Sequence, residues 1–158
     1  MANYEAPLFQ AAVSTAYKSA GVLYSNGTRR IMLYEVELGA SGAPASTDAQ
    51  ILWDLSRFTA TTTLAGTSVI PNLLDTADSS PLALFFNAIS AELTYSAAGA
   101  GLSLKSWGIN QRGSYRWRAL DDNDNIIIPA AVGTGIGLRA QSSAFTSTAI
   151  GNISFVER

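Results

Sequence analysis

Residues Arg30 to Leu38 alternate with a period of two: Met32, Tyr34, Val36 and Leu38 fall on one side, with Leu33, Glu35 and Glu37 on the other. A period of two puts successive side chains on opposite faces of a strand, so this run reads as a β-strand with one buried face. The same rhythm recurs between short turns rich in Gly, Asn, Asp, Ser and Pro. Ile51–Phe58 places Ile51, Trp53 and Leu55 opposite Asp54 and Ser56. Arg112–Leu120 sets Tyr115, Trp117 and Ala119 against Ser114, Arg116 and Arg118, and Gly133–Gln141 sets Ile136, Leu138 and Ala140 against Gly135, Gly137 and Arg139. Ile126–Pro129 and Ile150–Glu157 read as further strands, and sustained helical spacing is nearly absent.

Eight to ten such strands in 158 residues predict an all-β, single-domain β-sandwich or barrel, jelly-roll-like. Asn26-Gly27 is a hairpin signal, because both residues tolerate positive φ; it predicts that a strand ending near Tyr24 folds back onto Arg30–Leu38. Gly39–Asp48 reads as a surface loop, and Thr59–Thr67 as a loop or edge strand. Ser68–Pro71 reads as a short strand that Pro71 ends or places at an edge. Asp78-Ser79-Ser80-Pro81, then Leu82, Phe85, Phe86 and Ile89, fits a short helix or a loop with a buried plug. Glu92–Tyr95 and Leu102–Trp107 read as strands around an Ala97–Gly101 turn. Residues 1–9 read as an N-terminal arm kept extended by Pro7, and residues 10–158 as the sandwich domain.

The chain contains no histidine and no cysteine. That removes Ser-His-Asp and Cys-His nucleophiles, zinc sites with nitrogen or sulfur ligands, and disulfides, so the expectation is a non-enzymatic protein without a cofactor or metal. Charged residues make up only 14% of the chain, against about 25% in ordinary soluble domains. Such a surface suits contact with other chains. Eight of the ten basic residues are arginine, the cation that interfaces favour. The net charge of −2 gives no reason to expect nucleic acid as a partner, and no run of 18 apolar residues predicts a membrane span. The first residues lack the basic segment of a secretory signal, which points to residence inside a cell.

Other constellations weigh toward structure. Asp121–Asn125 clusters oxygen donors, but the sixth and twelfth positions of a calcium loop hold Ile126 and Val132, so a self-bonded polar turn is favoured. Gly133-Thr134-Gly135-Ile136-Gly137 has the glycines of a phosphate loop but leads into a strand, and marks a close packing approach instead. Arg112, Arg116 and Arg118 face away from Tyr115 and Trp117, which separates the parts of a nucleic-acid platform. Glu35 and Glu37 share one strand face with no second carboxylate fixed across a cleft.

Arg29-Arg30-Ile31-Met32-Leu33-Tyr34-Glu35-Val36-Glu37-Leu38-Gly39, then Ser41–Ala45 and Ile51–Phe58, form one set of phrases. Asn110–Trp117, Ile127-Ile128-Pro129, Gly135–Leu138 and the closing strand form a second. Together, across most of residues 22–157, they resemble small cement (decoration) proteins and other minor virion components of tailed bacteriophages. The resemblance implies a β-sandwich or barrel, usually trimeric, bound to the outer surface of a capsid after synthesis in the host cytoplasm. On that reading the chain bridges major capsid protein subunits. Leu8 and Phe9 of the arm meet the shell, while Gly137, Arg139, Arg112, Arg116 and Arg118 meet neighbouring copies, the arginines pairing with Glu35, Glu37 or Asp54 of another chain. The alternative is a tail or fibre sandwich that binds host carbohydrate on an aromatic platform of Trp53, Trp107 and Trp117.

Overall fold

The alternating runs become twelve antiparallel strands in a computed structural model, which describes residues 2–10, 12–43, 45–58, 61, 63–95, 103–143 and 147–158. They are β1 (Asn3–Gln10), β2 (Lys18–Tyr24), β3 (Ile31–Ser41), β4 (Gln50–Phe58), β5 (Ala65–Val69) and β6 (Asn72–Leu73). After these come β7 (Leu84–Ala91), β8 (Lys105–Asn110), β9 (Tyr115–Arg118), β10 (Ile126–Ile128), β11 (Gly135–Gln141) and β12 (Thr148–Glu157). No helix occurs among the described residues. The Ala97–Gly101 turn lies outside them.

The first sheet runs β10-β3-β12-β1-β6 with β9 also on β3, and the second runs β5-β7-β2-β11-β4-β8. The pairings nest: β1 with β12, β2 with β11, β3 with β9 and β10, and β4 with β8. The first third of the chain is therefore zipped to the last in reverse order and rolled into two layers, the topology of a jelly roll. β5, β6 and β7 are additions that extend both sheets beyond this frame. Ile31, Leu33, Val36, Leu38, Ile51, Trp53, Leu55, Ile136, Leu138, Ile153 and Phe155 fill the space between the layers.

Residues 3–10 are not an arm. They form β1, paired along their length with β12, and Tyr4, Ala6 and Leu8 point into the core with no more than 2% exposure. Only alternate residues such as Phe9 face outward. Pro7 is tolerated because β6 pairs only with Tyr4 and Glu5, so β1 has a free edge beyond them. The Pro7 carbonyl on that edge accepts from Asn87 Nδ2 at 3.1 Å.

The Asn26-Gly27 turn is not a hairpin. It carries the chain from β2 in the second sheet to β3 in the first, with Gly27 at φ 95°. Ser25 Oγ holds the corner, accepting from the Gly27 N–H at 3.0 Å and donating to the Arg29 carbonyl at 2.9 Å.

The candidate helix over 78–89 is also replaced: Leu84–Ala91 is a strand. Its apolar residues look helical because both faces of this strand are covered. Phe85 enters the central core, while Phe86 and Ile89 join a second cluster of Val22, Phe58, Leu93 and Tyr95 on the outside of the sheet. Ala88, at φ 47°, accompanies the register shift against β5 that turns Ile89 to that side.

β7 and β8 lie toward opposite edges of the second sheet, so the chain between them has to cross it. Leu93 and Tyr95 lie on its outer face, with Tyr95 bridged to Phe58, and the Tyr95 ring rests on Gly137. A Cβ at Gly137 would sit 2.6 Å from Tyr95 Cε1. The Gly135–Gly137–Arg139 face is thus closed within the chain, not bare and available to a neighbouring copy. Gly137→Ala is expected to destabilise the isolated fold by about 1–3 kcal/mol through overpacking against Tyr95. Denaturant unfolding of the variant checks this, and an unchanged midpoint would contradict the contact.

Candidate functional site

β1, β3, β9 and β12 together build the outer face of the first sheet. Strand register arranges it in rows. Glu5, Ser154, Glu35 and Arg118 form one row, and Pro7, Asn152, Glu37 and Arg116 the next. Phe9, Ile150 and Gly39 continue the series, with Ser114 and Gly113 just beyond the end of β9. The surface therefore grades from charged to apolar along the strands.

In the charged rows, Arg116 Nη2 lies 2.6 Å from Glu35 Oε1 and its Nε 3.6 Å from Glu37, while Arg118 Nε lies 3.6 Å from Glu35 Oε2. The Glu35 hydrogen bond holds the Arg116 pKa above its ordinary value. Arg116 and Arg118 thus meet the carboxylates expected of them, but within one chain. Arg112 likewise pairs with Asp48 at 3.1 Å, where both side chains are largely exposed. An exposed pair like Arg112 with Asp48 is worth about 0–1 kcal/mol.

Phe9 is 39% and Ile150 37% exposed, and they face each other across β1 and β12. Beside them a groove of about 460 Å³ is lined by Gly39, Ala40, Gly42, Gly113, Ser114 and Ile150, with Arg112 at its rim. Phe9 and Ile150 both face outward, which for Ile150 only the register with β1 shows.

Arg139 belongs to a different site on the other layer. It is 6% exposed and stands directly across from Asp54. Its Nη2 and Nε donate to Asp54 Oδ1 at 2.6 and 3.0 Å, and Nη2 also reaches Ser56 Oγ at 3.2 Å. Ser103 donates to Asp54 Oδ2. The Tyr95 and Tyr17 ring centroids lie 4.2 and 5.0 Å from the guanidinium carbon, two cation–π contacts. Ser19 Oγ donates to Glu92 at 2.6 Å, which leaves the Tyr95 hydroxyl to donate to Ser19 Oγ at 2.5 Å. Each of these groups is held by another, so the cluster fastens the crossing chain to the sheet.

Of the three tryptophans, Trp53 is fully buried. Trp107 and Trp117 are half-buried against the core, Trp107 capped by Tyr115 at 6.0 Å and Trp117 by Lys105 at 5.0 Å. They do not form one flat aromatic platform. The Asp121–Asn125 turn bonds itself, with the Asn123 N–H donating to Asp121 Oδ1 at 2.7 Å. Among the described residues no group of three or more carboxylates is placed to hold a metal ion. No protein-family model, curated protein or solved structure matches this chain.

Removing one member of a buried ion pair strands the other. Arg139→Ala is expected to cost about 3–5 kcal/mol, and Arg139→Met combined with Asp54→Leu to recover much of that loss. Urea unfolding of the single and double variants tests it. Burial also pushes the Tyr95 phenol well above its ordinary value of 10.0. The folded state then keeps a proton that the unfolded chain releases, so stability is full below pH 10 and falls as pH rises past it. That alkaline slope should be shallower in Tyr95→Phe, measured by unfolding at stepped pH.

Proposed function

We propose that this chain is a non-enzymatic virion structural protein, a cement protein that binds the outer surface of a bacteriophage capsid and bridges neighbouring major capsid protein subunits. The observation that carries the reading is the row of Phe9, Ile150 and Gly39 beside its shallow groove, on a sheet whose strands are locked by the jelly-roll pairing. A rigid sheet presenting an aromatic anchor among small residues, with charge pairs around it, has the anatomy of a protein–protein contact: an apolar centre and a polar rim. Arg112, Arg116 and Arg118 supply that rim. The phrases that resemble cement proteins give the partner its identity.

Leu8 takes part only from beneath, by packing under β12 against Gly151. The trimer implied by the resemblance does not enter this proposal, because the face meant to form it is occupied by Tyr95 and its arginine is held by Asp54. Bridging requires only that one copy span a boundary between capsid subunits. Binding to the assembled shell and not to free subunits would stabilise it by mass action.

Phe9→Glu and Ile150→Glu each remove one half of a partly exposed cross-strand pair and are expected to lower stability by no more than about 1 kcal/mol, leaving the fold intact. Loss of an aromatic anchor at a contact centre is worth about 2 kcal/mol or more, so occupancy on purified capsids should fall at least about tenfold. Cosedimentation of each variant with capsids measures this, and full occupancy of both would overturn the proposal.

A further inference from the structure

β5 is the outermost strand of the second sheet; it pairs with β7 on one side, and no described strand pairs with the other. Residues Ala65 to Ser68 are exposed, so a row of backbone N–H and C=O groups faces solvent. Other sheet margins carry the usual protection against joining another strand. β8 carries Lys105, β9 carries Arg116 and Arg118, β6 is two residues long, and β10 is three residues long beside the acidic turn. β5 carries no charge, and its register shift against β7 is confined to the Ala65–Thr67 step. From Phe58 to Leu74 the sequence contains no Asp, Glu, Lys or Arg. At its end Ile70 is 80% exposed, with Leu84 at 42% beside a cavity of about 260 Å³ that Val69, Pro71 and Pro81 also line.

We propose that β5 is a self-association edge, pairing antiparallel with β5 of a second copy across a twofold axis, so that two second sheets join into one. Antiparallel strands exchange both hydrogen bonds at alternate residue pairs, so an edge of this kind is complementary to itself. The twofold selects the occupant. At such an axis Thr67 meets its own counterpart, so a charge there would face its like; this run has none. The small side chains of Ala65, Gly66, Thr67 and Ser68 permit close approach. In a register centred on Thr67, Ile70 falls opposite Leu64 of the second copy, so apolar residues meet at both ends of the pairing. The face holding Phe9 and Ile150 lies on the other layer and stays open in this dimer. The proposal stands independently of capsid binding.

Sedimentation equilibrium of the purified chain tests it. The wild type is expected to show a dimer mass at micromolar concentration. Thr67→Lys and Thr67→Glu place like charges at the axis and should each weaken the dimer at least about tenfold, whereas an equimolar mixture of the two should restore it. Asn110→Lys, on the exposed margin of β8, should leave the mass unchanged. A monomer or trimer mass for the wild type, an unaltered mass for both charged variants, or no restoration in their mixture would each overturn the proposal. Restoration by the mixture also excludes misfolding of the single variants.

Discussion

The contact between the Tyr95 ring and Gly137 decides how the rest of the second sheet is used. The chain has to pass from β7 near one margin to β8 at the other, and β2, β11 and β4 lie between. It crosses where β11 lacks side chains, because glycine lets an aromatic ring rest on the backbone itself. Once Tyr95 is down, Arg139 and Asp54 are shut away from water and have to satisfy each other. The sandwich thereby gains a partial third layer. A surface that would otherwise be open for contact becomes interior, which leaves outward contact to the first sheet and the strand margins.

Period-two reading located β4, β9, β11 and β12, but in β3 it put Leu33 on the wrong face, because a register shift against β12 at Tyr34 brings Ile31 and Leu33 to the core with Val36 and Leu38. It misread the places where long-range pairing overrides a local signal. Asn26-Gly27 has hairpin chemistry, yet β2 finds its partner in β11, more than a hundred residues on, so the turn becomes a corner between layers. Phe85, Phe86 and Ile89 mimic helical spacing because β7 is covered on both faces, which a strand at the surface of a simple sandwich would not be. Tyr4, Ala6 and Leu8 do alternate, but Pro7 made the segment look detached; only the short reach of β6 explains why a proline fits there.

The candidate site was half legible. Glu35, Glu37 and Asp54 were identified as partners for the arginines, and they are, but inside one chain. The sequence could name the ions and not their owner, because β3 and β9 are separated by some eighty residues and register alone sets Arg116 against Glu37. This pairing matters for the surface as a whole. With charge scarce and much of it spent on internal pairs such as Arg29 with Glu157 and Arg139 with Asp54, uncharged surface remains, the Phe9 row and the β5 margin included. They lie on different layers, so one copy could hold two partners without competition.

β12 lies between β1 and β3, which do not touch each other in the first sheet. During synthesis both are made long before the strand that joins them. Until it emerges, Tyr4 and Leu8 on one side and Leu33 and Val36 on the other lack the neighbour that aligns them. Contacts that span nearly the whole chain form slowly, because the loop they close is long. The nascent protein therefore carries half-built apolar surface until β12 emerges, and its window of vulnerability to aggregation closes only when that strand slides in as the keystone.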